Sequence, residues 1–173
     1  YLHSVSNTNR RLLALDPGTR KTGFAVFAGD KLLHHGVKVF ANRSTARGNL
    51  EEGRQFVRSL IRTHQPQILA VEKAFFSKRT PRTILLNLYY RQILYIGRRY
   101  GLRVETYAPS TVKKFVTGYG WAKKDLVARA VVQRYPELKA YLVHSRQWQR
   151  RHHCNMFDAV AVGLIALDKR TTK

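Results

Sequence analysis

Acidic side chains are scarce in this 173-residue sequence, with ten Asp and Glu against 32 Lys and Arg, so the position of each carboxylate is informative. Two of them close short apolar runs. Leu12-Leu13-Ala14-Leu15 ends on Asp16, and Ile68-Leu69-Ala70-Val71 ends on Glu72. A third, Asp158, opens the apolar stretch Ala159-Val160-Ala161. A carboxylate fixed at the end of a buried strand is a rigid oxygen donor. Mg²⁺ takes such donors while keeping water and substrate oxygens. Two such ions side by side can activate a water and stabilise the leaving oxygen of a phosphodiester. Each acid also has a local alternative: an Asx-type turn residue for Asp16, strand-end solubility for Glu72, and helix N-terminal charge for Asp158. Clustering of all three in a polyanion binder favours the metal site, because solvation does not explain an acidic pocket there.

The formal net charge of +22 points to a polyanionic partner, either nucleic acid or an anionic membrane surface. No apolar run approaches the length of a bilayer span. The single cysteine, Cys154, excludes an internal disulfide and suits a reducing compartment. The expected location is intracellular, beside nucleic acid: the bacterial cytoplasm first, with plastid, mitochondrion or phage-infected cell as alternatives.

The elements that must position these acids follow from periodicity. Residues 11–15 and 23–28 read as antiparallel strands joined through the turn at Asp16-Pro17-Gly18. Gly29-Asp30 predicts a second hairpin turn into a strand over 31–40, followed by a basic loop over 42–48. Apolar residues at helical spacing predict a helix over 49–64 that Pro66 stops. The run ending in Glu72 is the next strand, and a loop with Lys73, Phe75, Phe76, Lys78 and Arg79 follows. Thr80-Pro81 is a capping signal for a helix to about Tyr100. That helix is apolar on more than one side, so it needs more than one partner. The pattern leaves open whether the second is another subunit or the rest of the same chain. A fifth strand over 103–107, a short helix over 109–116, and a helix over 122–134 with Leu126, Val127, Ala130 and Val131 inward complete the middle. The segment 144–153, holding Arg146, Trp148, Arg150 and Arg151, reads as a basic connector suited to phosphate contact. A last helix runs over 155–169 with Asp158 in its first turn. The expected architecture is one α/β domain over 1–173, with a five-stranded mixed sheet flanked by helices and a loose end at 1–9.

Taken together, Asp16-Pro17-Gly18-Thr19-Arg20-Lys21-Thr22-Gly23, Val71-Glu72 with Phe75 three residues on, Lys113 and Lys124 bracketing Gly118-Tyr119-Gly120, and Phe157-Asp158-Ala159-Val160-Ala161 resemble the RuvC family. The resemblance spans Arg11 to Leu167. It implies a ribonuclease H-like fold and a Holliday junction resolvase, a homodimer that cuts two strands of like polarity and leaves ligatable nicks. It also implies that Asp16, Glu72 and Asp158 hold two Mg²⁺ ions, for which Mn²⁺ substitutes. Lys113 and Lys124 then lie near the cleaved phosphate, Phe75 stacks on bases at the junction centre, and the helix from Thr80 pairs two subunits. Arg20, Lys73, Phe76, Lys78, Arg79, Lys123, Arg146, Arg150 and Arg151 are the further DNA-binding candidates. A branch-migration helicase is a candidate partner. One position departs from the pattern. The family's fourth metal ligand is an acid or His, and here it is Asn155, with His152 or His153 as substitutes. The departure keeps one alternative in play, a junction-binding protein that does not cut; a separate alternative is another ribonuclease H-like nuclease acting on RNA–DNA hybrid or a transposon end.

Overall fold

The computed structural model describes residues 10–41, 46–74, 80–143 and 147–171. Strands β1 (Arg11–Asp16), β2 (Lys21–Ala28), β3 (Lys31–Val39), β4 (Ile68–Glu72) and β5 (Arg103–Tyr107) form one sheet in the order β3-β2-β1-β4-β5. β1 pairs antiparallel with β2 and parallel with β4, and β4 pairs parallel with β5. β1 is therefore central, and it is buried on both faces.

The two faces divide by strict alternation. Leu12, Ala14, Ala25, Phe27, Ile68 and Ala70 form one core with helices α3 (Pro109–Thr117), α4 (Lys124–Arg134) and α6 (Gln147–Thr171). Leu13, Leu15, Phe24, Val26, Leu69 and Val71 form the other with α1 (Ala46–His64) and α2 (Pro81–Arg99). Asp16 and Glu72 continue the even-numbered rows, so both belong to the face that α6 covers. Residues 12 to 15 pair in register with 68 to 71, which sets Glu72 next to Asp16.

Several expectations need correction. The segment read as a basic connector is helical from Gln147, because Gln, Arg and His are tolerated in helices and no Gly or Pro interrupts 147–162. Asp158 is consequently mid-helix, and a helix N-terminal role no longer accounts for it. α1 begins at Ala46, so the basic loop ends earlier than expected; residues 42–45 lie outside the described residues. β2 begins at Lys21, which shortens the turn after Asp16 to residues 17–20. α4 begins at Lys124 with Lys123 as its N-cap, and Leu126 faces solvent while Val127, Ala128 and Val131 are buried. Beyond Pro136 the chain makes a 3-10 turn (Pro136–Leu138) and α5 (Lys139–Val143), pieces too short for a periodic signal.

α2 is capped as its sequence demands. The Thr80 hydroxyl accepts from the Thr83 N–H at 3.2 Å and the Thr83 hydroxyl accepts from the Thr80 N–H at 2.9 Å, with Pro81 in the first turn. Tyr89, Ile93 and Ile96 point into the core, and the Tyr89 hydroxyl meets the buried Thr22 hydroxyl at 3.2 Å. Ile84, Leu88 and Tyr95 point outward and are exposed.

Candidate active site

The site is built where the C-terminal ends of β1 and β4 meet α6. Asp16 is 7% exposed and is one of only two buried polar side chains among the described residues. Burial pushes its carboxyl up from 3.8 to about 7, with Asp158 adding repulsion and hydrogen bonds from Glu72 and Asn155 opposing the rise. Glu72 is pushed further still by burial and by facing both Asp16 and Asp158. Each of the two carboxyls shifts the other, so Asp16 and Glu72 titrate as a pair.

α6 supplies the remaining groups. Asn155 and Asp158 are three residues apart and share one helix face. The Asn155 amide nitrogen donates to Asp16 Oδ2 at 2.7 Å. The amide thus turns its nitrogen, not its oxygen, toward the acid. Asp158 Oδ2 accepts from Lys124 Nζ at 3.1 Å, with the lysine more than half exposed. Partial burial disfavours the Lys124 ammonium, but Asp158 and Asp16 outweigh it and hold its pKa above the usual value.

The close approach of α6 depends on a glycine. A Cβ on Gly23 would stand 1.8 Å from the Asn155 carbonyl oxygen. Only a residue without a side chain lets the helix backbone cross β2 at this height. About two turns further along α6, Gly163 makes the same room for the Phe27 ring, where a Cβ would come within 2.1 Å.

Beside the acids opens a cavity of about 430 Å³ lined by Gly18, Thr19, Arg20, Lys21, Arg82, Lys124, Cys154 and Asn155. Four of those side chains are cationic. Burial, with Lys124 nearby, holds the Lys21 pKa below its ordinary value. Sequence reasoning misses Lys21 and Arg82 as site residues. Arg82 is legible only in that it follows the Thr80-Pro81 cap, and its approach to residues 18–21 is a tertiary fact.

The structure therefore brings Asp16 and Glu72 together and sets Asp158 within their electrostatic reach. Among the described residues, no three His, Cys, Asp or Glu are grouped as a ready metal cluster; Asp158 is engaged by Lys124 instead. The donor set nevertheless fits a hard cation: carboxylate oxygens, desolvated, with too little positive charge between them. Lys113 is half-buried on α3, which starts just past the end of β5, and no ion pair joins it to the acids. Arg20, Lys73 and Lys123 are exposed. The His153 ring packs against Tyr141 at 4.9 Å between centroids. Phe75, Phe76, Lys78, Arg79 and Arg146 lie outside the described residues, as do the side chains of Trp148, Arg150, Arg151 and His152.

With this geometry in place, comparison with known proteins is direct. The family model "Crossover junction endodeoxyribonuclease RuvC" matches residues 12–165. RuvC of Akkermansia muciniphila is 31% identical over 161 residues, covering 91% of this chain and 90% of that protein. RuvC of Caulobacter vibrioides is 32% identical over 139 residues, covering 76% and 82%. Among solved structures, Thermus thermophilus RuvC in complex with a Holliday junction substrate matches with a TM-score of 0.72 at 22% identity, covering 94% of this chain and 96% of that one. The yeast mitochondrial Holliday junction resolvase matches at 0.67 and 12% identity, covering 98% and 83%. The five-stranded mixed sheet is thus the sheet of these neighbours, and the family match extends from the first residues of β1 to α6: the chain belongs to the RuvC family of crossover junction endodeoxyribonucleases.

Proposed function

We propose that this chain is a Holliday junction resolvase that binds four-way DNA junctions as a homodimer and nicks two strands of like polarity symmetrically. The observation that carries the reading is the desolvated Asp16–Glu72 pair near Asp158, next to a cavity whose lining includes Arg20, Lys21, Arg82 and Lys124. Buried like charges are costly until a cation joins them. A basic surround is what a phosphodiester backbone requires.

Asp16, Glu72 and Asp158 would hold a pair of Mg²⁺ ions, which Mn²⁺ can replace, and Asn155 offers a neutral oxygen once its amide turns. Ions bound there supply the Lewis acidity that activates a water and stabilises the leaving oxygen. The chain's own side chains do the rest. Lys124 shields Asp158 in the metal-free protein and offers its exposed ammonium to the scissile phosphate. Lys113 adds a second positive charge from α3. Arg20, Lys21 and Arg82 hold the backbone, and Lys73 and Lys123 extend the contact. Phe75, with Phe76, Lys78 and Arg79, takes the junction centre. Water is the nucleophile, so no covalent enzyme intermediate forms. The outward Ile84, Leu88 and Tyr95 of α2 support pairing with a second copy. A branch-migration helicase is a further partner of this reading.

A second reading has its own observation. The Asn155 amide nitrogen already satisfies Asp16, which favours a junction binder that does not cut. One assay separates the two. An immobile four-way junction, a duplex and an RNA–DNA hybrid are incubated with the protein in Mg²⁺ and in Ca²⁺. Paired nicks in the junction with Mg²⁺ support resolution. Tight junction binding without product supports the second reading, and preferential hybrid cleavage overturns both.

A further inference from the structure

Resting on the junction-cleaving reading, we propose that Tyr119 and Trp121 form a base-stacking platform beside the scissile phosphate and set the sequence context of cleavage. Trp121 is 81% exposed, more than any other large hydrophobic side chain among the described residues, and Tyr119 is 59% exposed. An indole left in water is a costly choice for a fold with two cores in which to place it.

The turn that carries the rings is held firmly. Gly118 closes α3 at φ +79°, and its N–H donates to the Lys114 carbonyl at 2.8 Å. The Thr117 hydroxyl donates to the Lys113 carbonyl at 2.8 Å and accepts from the Tyr119 N–H at 3.2 Å. The Ala122 N–H donates to the Tyr119 carbonyl at 3.1 Å, and the Ala122 methyl is buried in the core. A Cβ on Gly120 would stand 3.2 Å from the Ser110 carbonyl oxygen, so the turn also lies against the start of α3. Rings on a floppy segment would fold back onto apolar surface. These are held out by a hydrogen-bonded frame.

Charge and position name the occupant. The exposed Lys114, Lys123 and Lys124 flank the turn, which suits a phosphate backbone and opposes a basic or neutral protein surface. Lys124 contacts Asp158, and Trp121 is three residues before it. The Trp121 Cα is therefore within about 11 Å of the Lys124 Cα, or about three base steps. Aromatic faces there stack on bases that the lysines' phosphates bring within reach. Stacking strength differs between bases, so the platform biases which phosphate is presented to the acids.

The test uses the 173-residue chain; for the emission measurement alone it carries Trp148→Phe, which leaves Trp121 as its one tryptophan. Ca²⁺ replaces Mg²⁺ for the binding measurements. The expected result is quenching of Trp121 emission by a four-way junction. Trp121→Ala and Tyr119→Ala each weaken junction binding about tenfold, in line with stacking on one base. The slope of log affinity against log salt stays unchanged, since no phosphate partner is lost. Trp121→Phe recovers most of the affinity. In Mg²⁺, the cleaved positions in junctions of randomised core sequence broaden for Trp121→Ala. Unchanged affinity and unchanged cut positions in Trp121→Ala, with wild type still cutting, overturn the platform whether or not emission changes. A wild-type chain that does not bind the junction overturns the reading beneath it, and the platform falls with it.

Discussion

Burial and neighbouring acids raise the carboxyls of Asp16 and Glu72 above the usual carboxylate range, and the consequence can be measured without any substrate. Both carboxyls are raised in the folded, metal-free protein. The native state therefore binds more protons than the unfolded chain from about pH 4 upward through neutrality, and stability falls as pH rises through that window. Thermal unfolding in chelator should show Tm declining between about pH 5 and 8. Asp16→Asn should flatten that decline, and excess Mg²⁺ should raise Tm most at the alkaline end, where the protons it displaces are already leaving. The same Asp16→Asn change should lower junction cleavage about a hundredfold or more while leaving junction affinity in Ca²⁺ within a few fold. Asn155 makes a contrary prediction. Asn155→Asp replaces a donor at 2.7 Å from Asp16 with a second negative charge. The metal-free variant should be less stable, and its cleavage should need about tenfold less Mg²⁺. A Mg²⁺ titration of cleavage checks this; equal or weaker activity would make the amide the native solution. The acids themselves are legible from sequence because each ends an apolar run or starts one. The polarity of the Asn155 contact is not, because an amide presents donor and acceptor equally until the fold chooses.

At the level of elements, the site depends on how closely α6 approaches β2. Gly23→Ala would put a methyl inside the Asn155 carbonyl and push the helix outward. The expected cost is about 1–3 kcal/mol of stability, together with a loss of cleavage larger than the loss of folded protein. Gly36→Ala is the control: its Cβ would meet only the Phe24 ring at 3.1 Å, which can shift. Comparing activity per folded molecule for the two variants checks that the helix position, and not stability in general, is at stake. The strands are readable in advance because β1, β4 and β5 are short apolar or alternating runs between clear breaks. α6 is harder. Its first two turns are crowded with Arg, His and Gln, and high charge looks like a loop when no apolar stripe accompanies it. The need for glycine at 23 is invisible locally, since the atom it avoids belongs to a residue 132 positions later (155 − 23).

For the molecule as a whole, charge and the outer face of α2 dominate. With a net charge of +22, junction affinity should fall by about 10³–10⁵ between 50 and 200 mM salt if some six to ten phosphates are contacted. A titration of binding against salt gives the slope directly. On the proposed homodimer, Leu88→Glu on α2 places a charge among Ile84, Leu88 and Tyr95 and should shift the protein to monomer in sedimentation analysis. Because Leu88 is exposed in the single chain, Tm of the monomer should move little. Sequence shows this face only as an excess of apolar residues. Which of them point inward is settled by the core, where Tyr89 meets Thr22.

The ladder between β1 and β4 has one more implication. Leu15 and Val71 are rung partners, and the two acids are simply the next residues along. To alter the gap between them, the chain would have to slide a buried strand and turn every apolar side chain on it to the opposite face. Drift in the outer loops, in surface charge or in helix length leaves that gap untouched. The chemistry is thus insulated from most mutation, and its spacing is inherited with the sheet.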